Sequence, residues 1–375
     1  MELYSNLVLD KIGYQMDMSD NMDRKLDFGS KKYLQLSKLL SQVDSFKGSW
    51  REIAHKEARY LKELRQMATV ASVGSSTRIE GVKMTDAEIG RLLKSVKINK
   101  LEKRDEQEVV GYYDALQIIL ENYHDIKLEE RFIHQLHGIL LKYSRKDQAH
   151  KGRYKQLSNK VVANYPDGTK KVIFNTTEPH LTQGEIQQLL AWTNEAMQIE
   201  EIHPLIIVGT FVYEFLSIQP YQDGNGRLSR LLTTMLLMQQ DYNFVQYISF
   251  EHVIESKKDE YYKALMQGQK DRYTDNEKIN DWLKFFLECM IALTERLEKK
   301  YSTYSKIKLE LNERQKSILA FIQKEKTTKI GAIDKALSGE SRNTIKKDLT
   351  YLLNEGLILR TGSGRGVQYH HKDEE

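Results

Sequence analysis

The stretch that decides the fold is Gln219-Pro220-Tyr221-Gln222-Asp223-Gly224-Asn225-Gly226-Arg227-Leu228-Ser229-Arg230. It interrupts two apolar runs. The first, 202–218, has Pro204 where a helix begins and a missing N–H costs nothing, and it reads as a buried helix. The second, about 226–240, reads as another. The context is therefore helix, loop, helix. Gly224 and Gly226 allow positive φ and close approach of a ligand to the backbone. The first amides of the second helix point outward and, with the helix dipole, form a site for an anion. Arg227 and Arg230, three residues apart, fall on neighbouring faces of the first turn, where both can reach phosphate oxygens. Asp223 is a hard oxygen donor beside them, suited to Mg²⁺. Gly-Asn-Gly alone also makes ordinary turns. A carboxylate, two glycines and two arginines between apolar helices favour anion binding over a structural turn.

Outward from this loop the chain is helical in pattern. Its 375 residues are 40% hydrophobic and 29% charged, with only four prolines, which fits a globular protein of two or three domains. The single cysteine, Cys289, excludes an intrachain disulfide and agrees with a cytoplasmic setting. The N-terminus lacks the basic start and apolar core of a signal peptide, and the most apolar run contains Glu214 and is short for a bilayer, so no membrane role is expected. Amphipathic patterns predict a helix around 34–43 and a longer one over 49–77, stopped by Gly81. Thr85 to Glu88 is a capping-box pattern opening a short helix. Further helices are expected over 106–123, 129–143, 182–197, 255–267 and 275–300. Between them the period changes: 157–165 and 170–174 flank the turn signal Tyr165-Pro166-Asp167-Gly168 and read as a β-hairpin.

With these surroundings the loop resembles the signature of the Fic family, His-x-Phe-x-Asp/Glu-Gly-Asn-Gly-Arg-x-x-Arg. His203-Pro204-Leu205-Ile206 opens the preceding helix, and the hairpin at 159–174 resembles the family's flap. The resemblance covers about 50–300. It implies transfer of AMP from ATP to a Ser, Thr or Tyr hydroxyl of a target protein. In that reading Asp223 holds Mg²⁺, Gly224, Asn225 and Gly226 cradle the inner phosphates, and Arg227 and Arg230 bind the outer ones. Tyr221 takes the place of the family's phenylalanine, and the flap aligns a target segment by strand addition.

The family's histidine falls at Gln219. That histidine is the general base, and a carboxamide has no protonation equilibrium near neutrality, so it cannot take the proton of an attacking hydroxyl. Gln219 marks a natural pseudoenzyme, an introduced silencing change, or slow or altered chemistry; all three readings stand. His203 reads as a structural residue at a helix start, and His180 falls in the loop after the flap. Upstream, Ser76-Thr77-Arg78-Ile79-Glu80-Gly81 resembles the family's inhibitory motif, Ser/Thr-x-x-x-Glu-Gly/Asn. By that resemblance Glu80 pairs with Arg230 and withholds it from the γ-phosphate.

The C-terminal part is basic: 305–371 holds 13 Lys/Arg against 7 Asp/Glu, while the whole chain has a net charge of +4. Patterns for helices over 312–324, 329–337 and 341–355, then strands over 357–360 and 367–370 joined by a glycine-rich loop, resemble a winged helix. Ile345, Leu349 and Leu352/Leu353 face its core. Arg342, Asn343, Lys346 and Lys347 point outward, a set suited to phosphates and base edges. DNA contact and protein contact, including a homodimer, both remain open for it.

The expected architecture is thus mainly α: an N-terminal helical region with an inhibitory helix (1–100), a Fic core with a β-hairpin flap (101–300), a linker (301–308) and a small α/β winged-helix domain (309–371). The expected partners are ATP with Mg²⁺ and a target protein. The alternative is a non-catalytic, nucleotide-sensing regulator that binds DNA through the winged helix.

Overall fold

The structure is a computed structural model describing residues 22, 24–95, 101–164 and 169–371. The predicted turn at 165–168 lies outside these residues, as does most of 1–23. The chain is mainly helical, as expected, and divides into two compact units at Thr294/Glu295.

The first unit opens with α1 (Gly29–Lys56) and α2 (Ala58–Ile79). The expected break near residue 49 is absent, and α1 absorbs the predicted 34–43 helix. The break falls instead at Glu57, whose backbone leaves the helix at φ −125° and ψ 40°. Nothing in the local sequence marks it. The end of α2 is a Schellman cap. Val82 N–H donates to Thr77 O at 3.2 Å and Gly81 N–H to Arg78 O at 3.0 Å, with Gly81 at φ +108°. Then come α3 (Asp86–Ser95), α4 (Arg104–Asn122) and α5 (Glu130–Leu140). The Thr85 capping box forms, with Thr85 N–H on Glu88 Oε2 at 2.8 Å and Glu88 N–H on Thr85 Oγ1 at 3.3 Å.

Strands β1 (Lys160–Asn164) and β2 (Lys170–Asn175) pair antiparallel, Val161 opposite Phe174, with a bulge between Val161 and Val162. Helices α6 (Pro179–Ile199), α7 (Pro204–Ile218) and α8 (Asn225–Gln239) follow. His180, expected in a loop, lies in the first turn of α6. Helix α7 is buried along almost its whole length, so its apolar sequence needs no polar face. Its one acid, Glu214, is held by Lys25 at 2.7 Å and Arg272 at 3.0 Å, which makes burying its charge tolerable. His203 caps α7, its Nδ1 accepting from Leu205 N–H at 3.2 Å. The helix predicted over 255–267 is two, α9 (Phe250–Ser256) and α10 (Lys258–Gln269), the first capped by Ser249.

Helix α11 (Asn280–Glu310) runs through the predicted linker at 301–308, which is helical; the division between the units falls earlier, inside α11. The second unit contains α12 (Glu313–Glu325), β3 (Thr327–Thr328), α13 (Ile330–Ala336), α14 (Arg342–Asn354), β4 (Ile358–Thr361) and β5 (Gln368–His371). The strands form one antiparallel sheet in the order β3-β5-β4. Ile318, Ile322, Ile333, Ile345, Leu349, Leu352 and Ile358 form its core. Asn312 and Gln315 close a reciprocal capping box at the start of α12, with bonds of 2.9 and 3.0 Å.

Candidate anion site between two helices

The loop between α7 and α8 is shaped from beneath by polar contacts. Asn225 holds both main-chain groups of Tyr221: its Oδ1 accepts from Tyr221 N–H at 2.9 Å and its Nδ2 donates to Tyr221 O at 2.7 Å. Lys155 N–H donates to Pro220 O at 2.9 Å. The Lys155 ammonium, only 3% exposed, donates to Ile218 O at 2.8 Å, Thr176 Oγ1 at 2.9 Å and Asn159 Oδ1 at 3.0 Å. One buried cation thus ties the end of α7 to both feet of the hairpin. Burial holds that ammonium down at about 8.

Tyr221 is fully buried and stacks on His137, with ring centroids 3.8 Å apart. Its hydroxyl meets His134 Nδ1 at 2.8 Å, a contact phenylalanine could not make. His137 accepts from Gly152 N–H on Nδ1 at 2.8 Å, so Nε2 carries the proton and donates to Asp223 O at 3.0 Å. Burial pushes His137 down to about 4, against the pull of the Asp223 carbonyl, and the ring stays neutral.

From Asp223 a ladder of alternating charge crosses the site. Asp223 Oδ2 meets Lys146 Nζ at 3.0 Å, and Oδ1 accepts from Gly224 N–H at 2.6 Å and faces Arg227 Nη2 at 3.4 Å. Arg227 Nη1 continues to Glu108 Oε2 at 3.0 Å, and Glu108 Oε1 to Arg104 Nε at 2.7 Å. Burial pushes the Asp223 carboxyl up, but Arg227, Lys146 and the Gly224 amide together hold it below the usual carboxylate range.

On the other side, Glu80 reaches across from the end of α2. Arg230 Nη2 donates to Glu80 Oε1 at 2.7 Å and to Ser76 O at 2.9 Å, while Nε donates to Ser76 Oγ at 2.8 Å. The carboxylate lies against the bare Cα of Gly226. A β-carbon there would fall 2.4 Å from Glu80 Oε1. Two cations secure the end of α2. Arg78 pairs with Glu255 at 2.8 Å and Asp86 at 2.8 Å, and Lys258 Nζ donates to Ile79 O at 3.1 Å. Between Glu80 and the hairpin lies a cavity of about 200 Å³, lined by Gln219, Asp223, Gly226, Arg230, the strand β1 and an apolar wall that includes Leu216 and Tyr261.

Residues 127–237, which contain this loop and both its helices, match the model of the Fic/DOC family. The chain carries a Fic-family domain. A Fido domain-containing protein of Dictyostelium discoideum is 30% identical over 95 residues, 25% of this chain; the match spans 61% of that protein's length. A Fic family protein from Desulfovibrio desulfuricans G20 has a similar fold, with a TM-score of 0.60 at 18% identity over 91% of this chain and 96% of its own. A Fic domain-containing signaling protein from Bacteroides thetaiotaomicron aligns at a TM-score of 0.54 and 21% identity, covering 68% of this chain and 94% of its own.

The structure brings together Glu80, Gln219, Asp223, Asn225, Gly226 and Arg230 around one cavity. Arg227 is placed differently from the expectation. It is 2% exposed, and its two Nη atoms go to Glu108 and Asp223 rather than toward the cavity. The buried acid on α4 captures it, and its role in the geometry is to fix Asp223. Gly224 sits at φ +81° and spends its N–H on the Asp223 side chain. Gln219 takes a left-handed conformation, φ 45° and ψ 74°, where helix α7 ends. Sequence reasoning did not single out His137, Lys146, Lys155 or Tyr261. An isolated His, Lys or Tyr carries no local sign of the partners it meets across the fold.

Arg342, Asn343, Lys346 and Lys347 of the second unit are all exposed on the first two turns of α14, which is N-capped by Ser341 Oγ. Asp348 is turned inward and held by Arg314 and Gln315. Among the described residues no helix is long and apolar enough to cross a membrane.

Proposed function

We propose that this chain binds ATP·Mg²⁺ at the α7–α8 loop and belongs to the AMP-transferring branch of the Fic family, with transfer impaired by Gln219. The observation that carries the reading is the Glu80 carboxylate against Gly226 and on Arg230. An anion of the protein's own already sits against the first turn of α8, at Gly226, and on a buried guanidinium. That is the environment a phosphate seeks. The cavity of about 200 Å³ is smaller than the ~300–1,000 Å³ typical of ligand pockets, and moving Glu80 out would enlarge it on the phosphate side. In this reading Glu80 acts as a brake on nucleotide binding.

The site also suits a divalent ion. Asp223 offers one oxygen, Oδ2, while Oδ1 is committed within the loop. Among the described residues there is no cluster of three or more His, Cys, Asp or Glu to cage a metal. An ion that takes one carboxylate and draws its other ligands from phosphates and water fits this donor set, as Mg²⁺ does. When bound, it would neutralise phosphate charge. The chain's own residues do the rest. Arg230 grips the outer phosphates, the first α8 amides cradle the inner ones, Arg227 and His137 fix Asp223, and the free edge of β1 offers main-chain groups to a target segment. A target Ser, Thr or Tyr hydroxyl would attack the α-phosphate in line, forming a phosphodiester to AMP as the α–β anhydride bond breaks and pyrophosphate leaves. Gln219 can hydrogen-bond that hydroxyl but cannot take its proton, a loss of about 10²–10⁴ in rate. The reading takes the protein to be cytosolic, where ATP is abundant.

The test is incubation with α-labelled ATP, Mg²⁺ and lysate protein, comparing the chain with Gln219→His and with Gln219→His/Glu80→Gly. Label appearing on protein only with the restored histidine, and most strongly in the double variant, is the expected result. No label in any of the three overturns the transferase reading.

One observation favours a second reading, a nucleotide-sensing regulator acting through the second unit. The exposed start of α14 presents Arg342, Asn343, Lys346 and Lys347 while the nearby Asp348 is paired inside. A winged-helix module binding duplex DNA by this face would shift DNA mobility in a salt-dependent way, and Lys346→Ala/Lys347→Ala would abolish the shift. DNA mobility unchanged by the intact protein at low salt rules this reading out.

A further inference from the structure

The outermost rung of the charge ladder is a lysine on the oxygen that a metal ion would use. Lys146 Nζ lies 3.0 Å from Asp223 Oδ2, the oxygen not committed to the loop, and its side chain is 55% exposed. The ladder gives Asp223 two cations of different kinds. Arg227 is buried and fixed between two acids, so it is permanent. Lys146 hangs on a flexible stem at the solvent side and can leave. A divalent ion on Oδ2 competes for that oxygen with an ammonium 3.0 Å away, because the like charges repel across a few ångströms.

We propose that Lys146 is a built-in counter-cation that competes with the divalent ion for Asp223 and so sets how strongly nucleotide binding depends on metal. The inference rests on reading the loop as an ATP·Mg²⁺ site. With no metal bound, Lys146 neutralises Asp223 and spares the incoming phosphates a bare carboxylate. With metal bound, Lys146 swings into solvent. Its removal therefore has two effects of opposite sign. The protein takes up a divalent ion more tightly, and it binds metal-free ATP more weakly.

The experiment uses the full chain with Glu80→Gly, so that the phosphate site is open, with and without Lys146→Met. Two readouts are taken: Mn²⁺ uptake in the absence of nucleotide, followed by electron paramagnetic resonance, and ATP binding by calorimetry in EDTA and in excess MgCl₂. An exposed pair of this kind corresponds to a change of about two- to fivefold. Lys146→Met should bind Mn²⁺ tighter and metal-free ATP weaker by that factor, with ATP affinity in excess Mg²⁺ nearly unchanged. Lys146→Arg, which keeps the charge, should behave like the parent. Equal Mn²⁺ uptake in parent and Lys146→Met, or no Mn²⁺ uptake by either, overturns the proposal. If Mn²⁺ binding shifts as expected but neither protein binds ATP in either buffer, the lysine's role stands and the nucleotide reading falls.

Discussion

Glu80 and Arg230, 150 positions apart in the chain, meet at 2.7 Å across the first turn of α8, and the guanidinium is 4% exposed. The contact joins the end of one helix to the start of another at the place where a ligand's charge would settle. Replacing Glu80 by Gln keeps the shape and removes the charge. ATP affinity should rise by on the order of tenfold to a hundredfold, the worth of a charge-assisted bond no longer in competition. Without ATP the same variant should lose about 1–2 kcal/mol, less than for a fully buried pair because Glu80 is 32% exposed. Calorimetry measures the first effect and urea unfolding the second. Unchanged ATP affinity would count against Glu80 as a competitor for the site.

Gly226 supplies an independent check on where that carboxylate lies. An alanine β-carbon would sit 2.4 Å from Glu80 Oε1 and 3.3 Å from Arg230 Nη1. Gly226→Ala should therefore cost about 1–3 kcal/mol in the otherwise intact protein. With Glu80 already Ala the cost should shrink to about 0.5 kcal/mol or less, since a helix otherwise prefers alanine to glycine. A double-mutant cycle by urea unfolding reads the coupling. Additive effects would mean that the two groups do not touch.

His137 makes a pH prediction. Its folded value is about 4, below its unperturbed 6.5, so the unfolded chain binds a proton first as acid is added. Its contribution is complete above pH 6.5 and is lost as pH falls toward 4, by about 3 kcal/mol in all. His137→Gln keeps a neutral donor for the Asp223 carbonyl and does not titrate. The stability lost between pH 7 and pH 4.5 should be smaller in this variant by about 2–3 kcal/mol. Parallel denaturation curves at the two pH values decide it, and equal acid sensitivity would refute the buried neutral ring.

Lys155 is expected to govern the hairpin. Lys155→Met removes the donor shared by Ile218 O, Asn159 Oδ1 and Thr176 Oγ1, and with it the side-chain link between the end of α7 and the hairpin. The cost should be about 1–3 kcal/mol. The loss should be local as well as global: the Thr176 amide, bonded to Asn159 O, and the Thr177 amide, bonded to Ser217 O, should exchange hydrogen faster. Unaltered exchange at these two amides would show that the lysine does not hold the hairpin's feet.

Much of this was legible in the sequence. The helices flanking the loop were readable because an apolar run bounded by His203-Pro204 and by glycines leaves few alternatives, and the hairpin because the period changed from helical to alternating. Isoleucines and leucines at helical spacing marked the core of the second unit. What escaped was set by distant partners. The i, i+3 rule placed Arg227 and Arg230 together, but Glu108, 119 positions away, draws Arg227 inward. Ser249, whose hydroxyl caps α9 by accepting from His252 N–H at 2.9 Å, marks where α9 begins, while its break from α10 at Lys257 carries no such signal. The break at Glu57 and the two-residue strand β3 carry no periodic signal. Lys155 and His137 are buried by tertiary contacts alone.

The left-handed backbone at Gln219 has a consequence for how this protein can change. That conformation is more often taken by histidine, asparagine or aspartate than by glutamine. The bend is nonetheless kept, because its neighbours enforce it: Asn225 grips Tyr221, and Lys155 grips Pro220 and Ile218. The bend is therefore encoded by residues other than 219, and the side chain there can be exchanged without rebuilding the loop around it. A single base substitution converts a glutamine codon into a histidine codon, so under the proposed function the two forms would be immediate mutational neighbours sharing one scaffold.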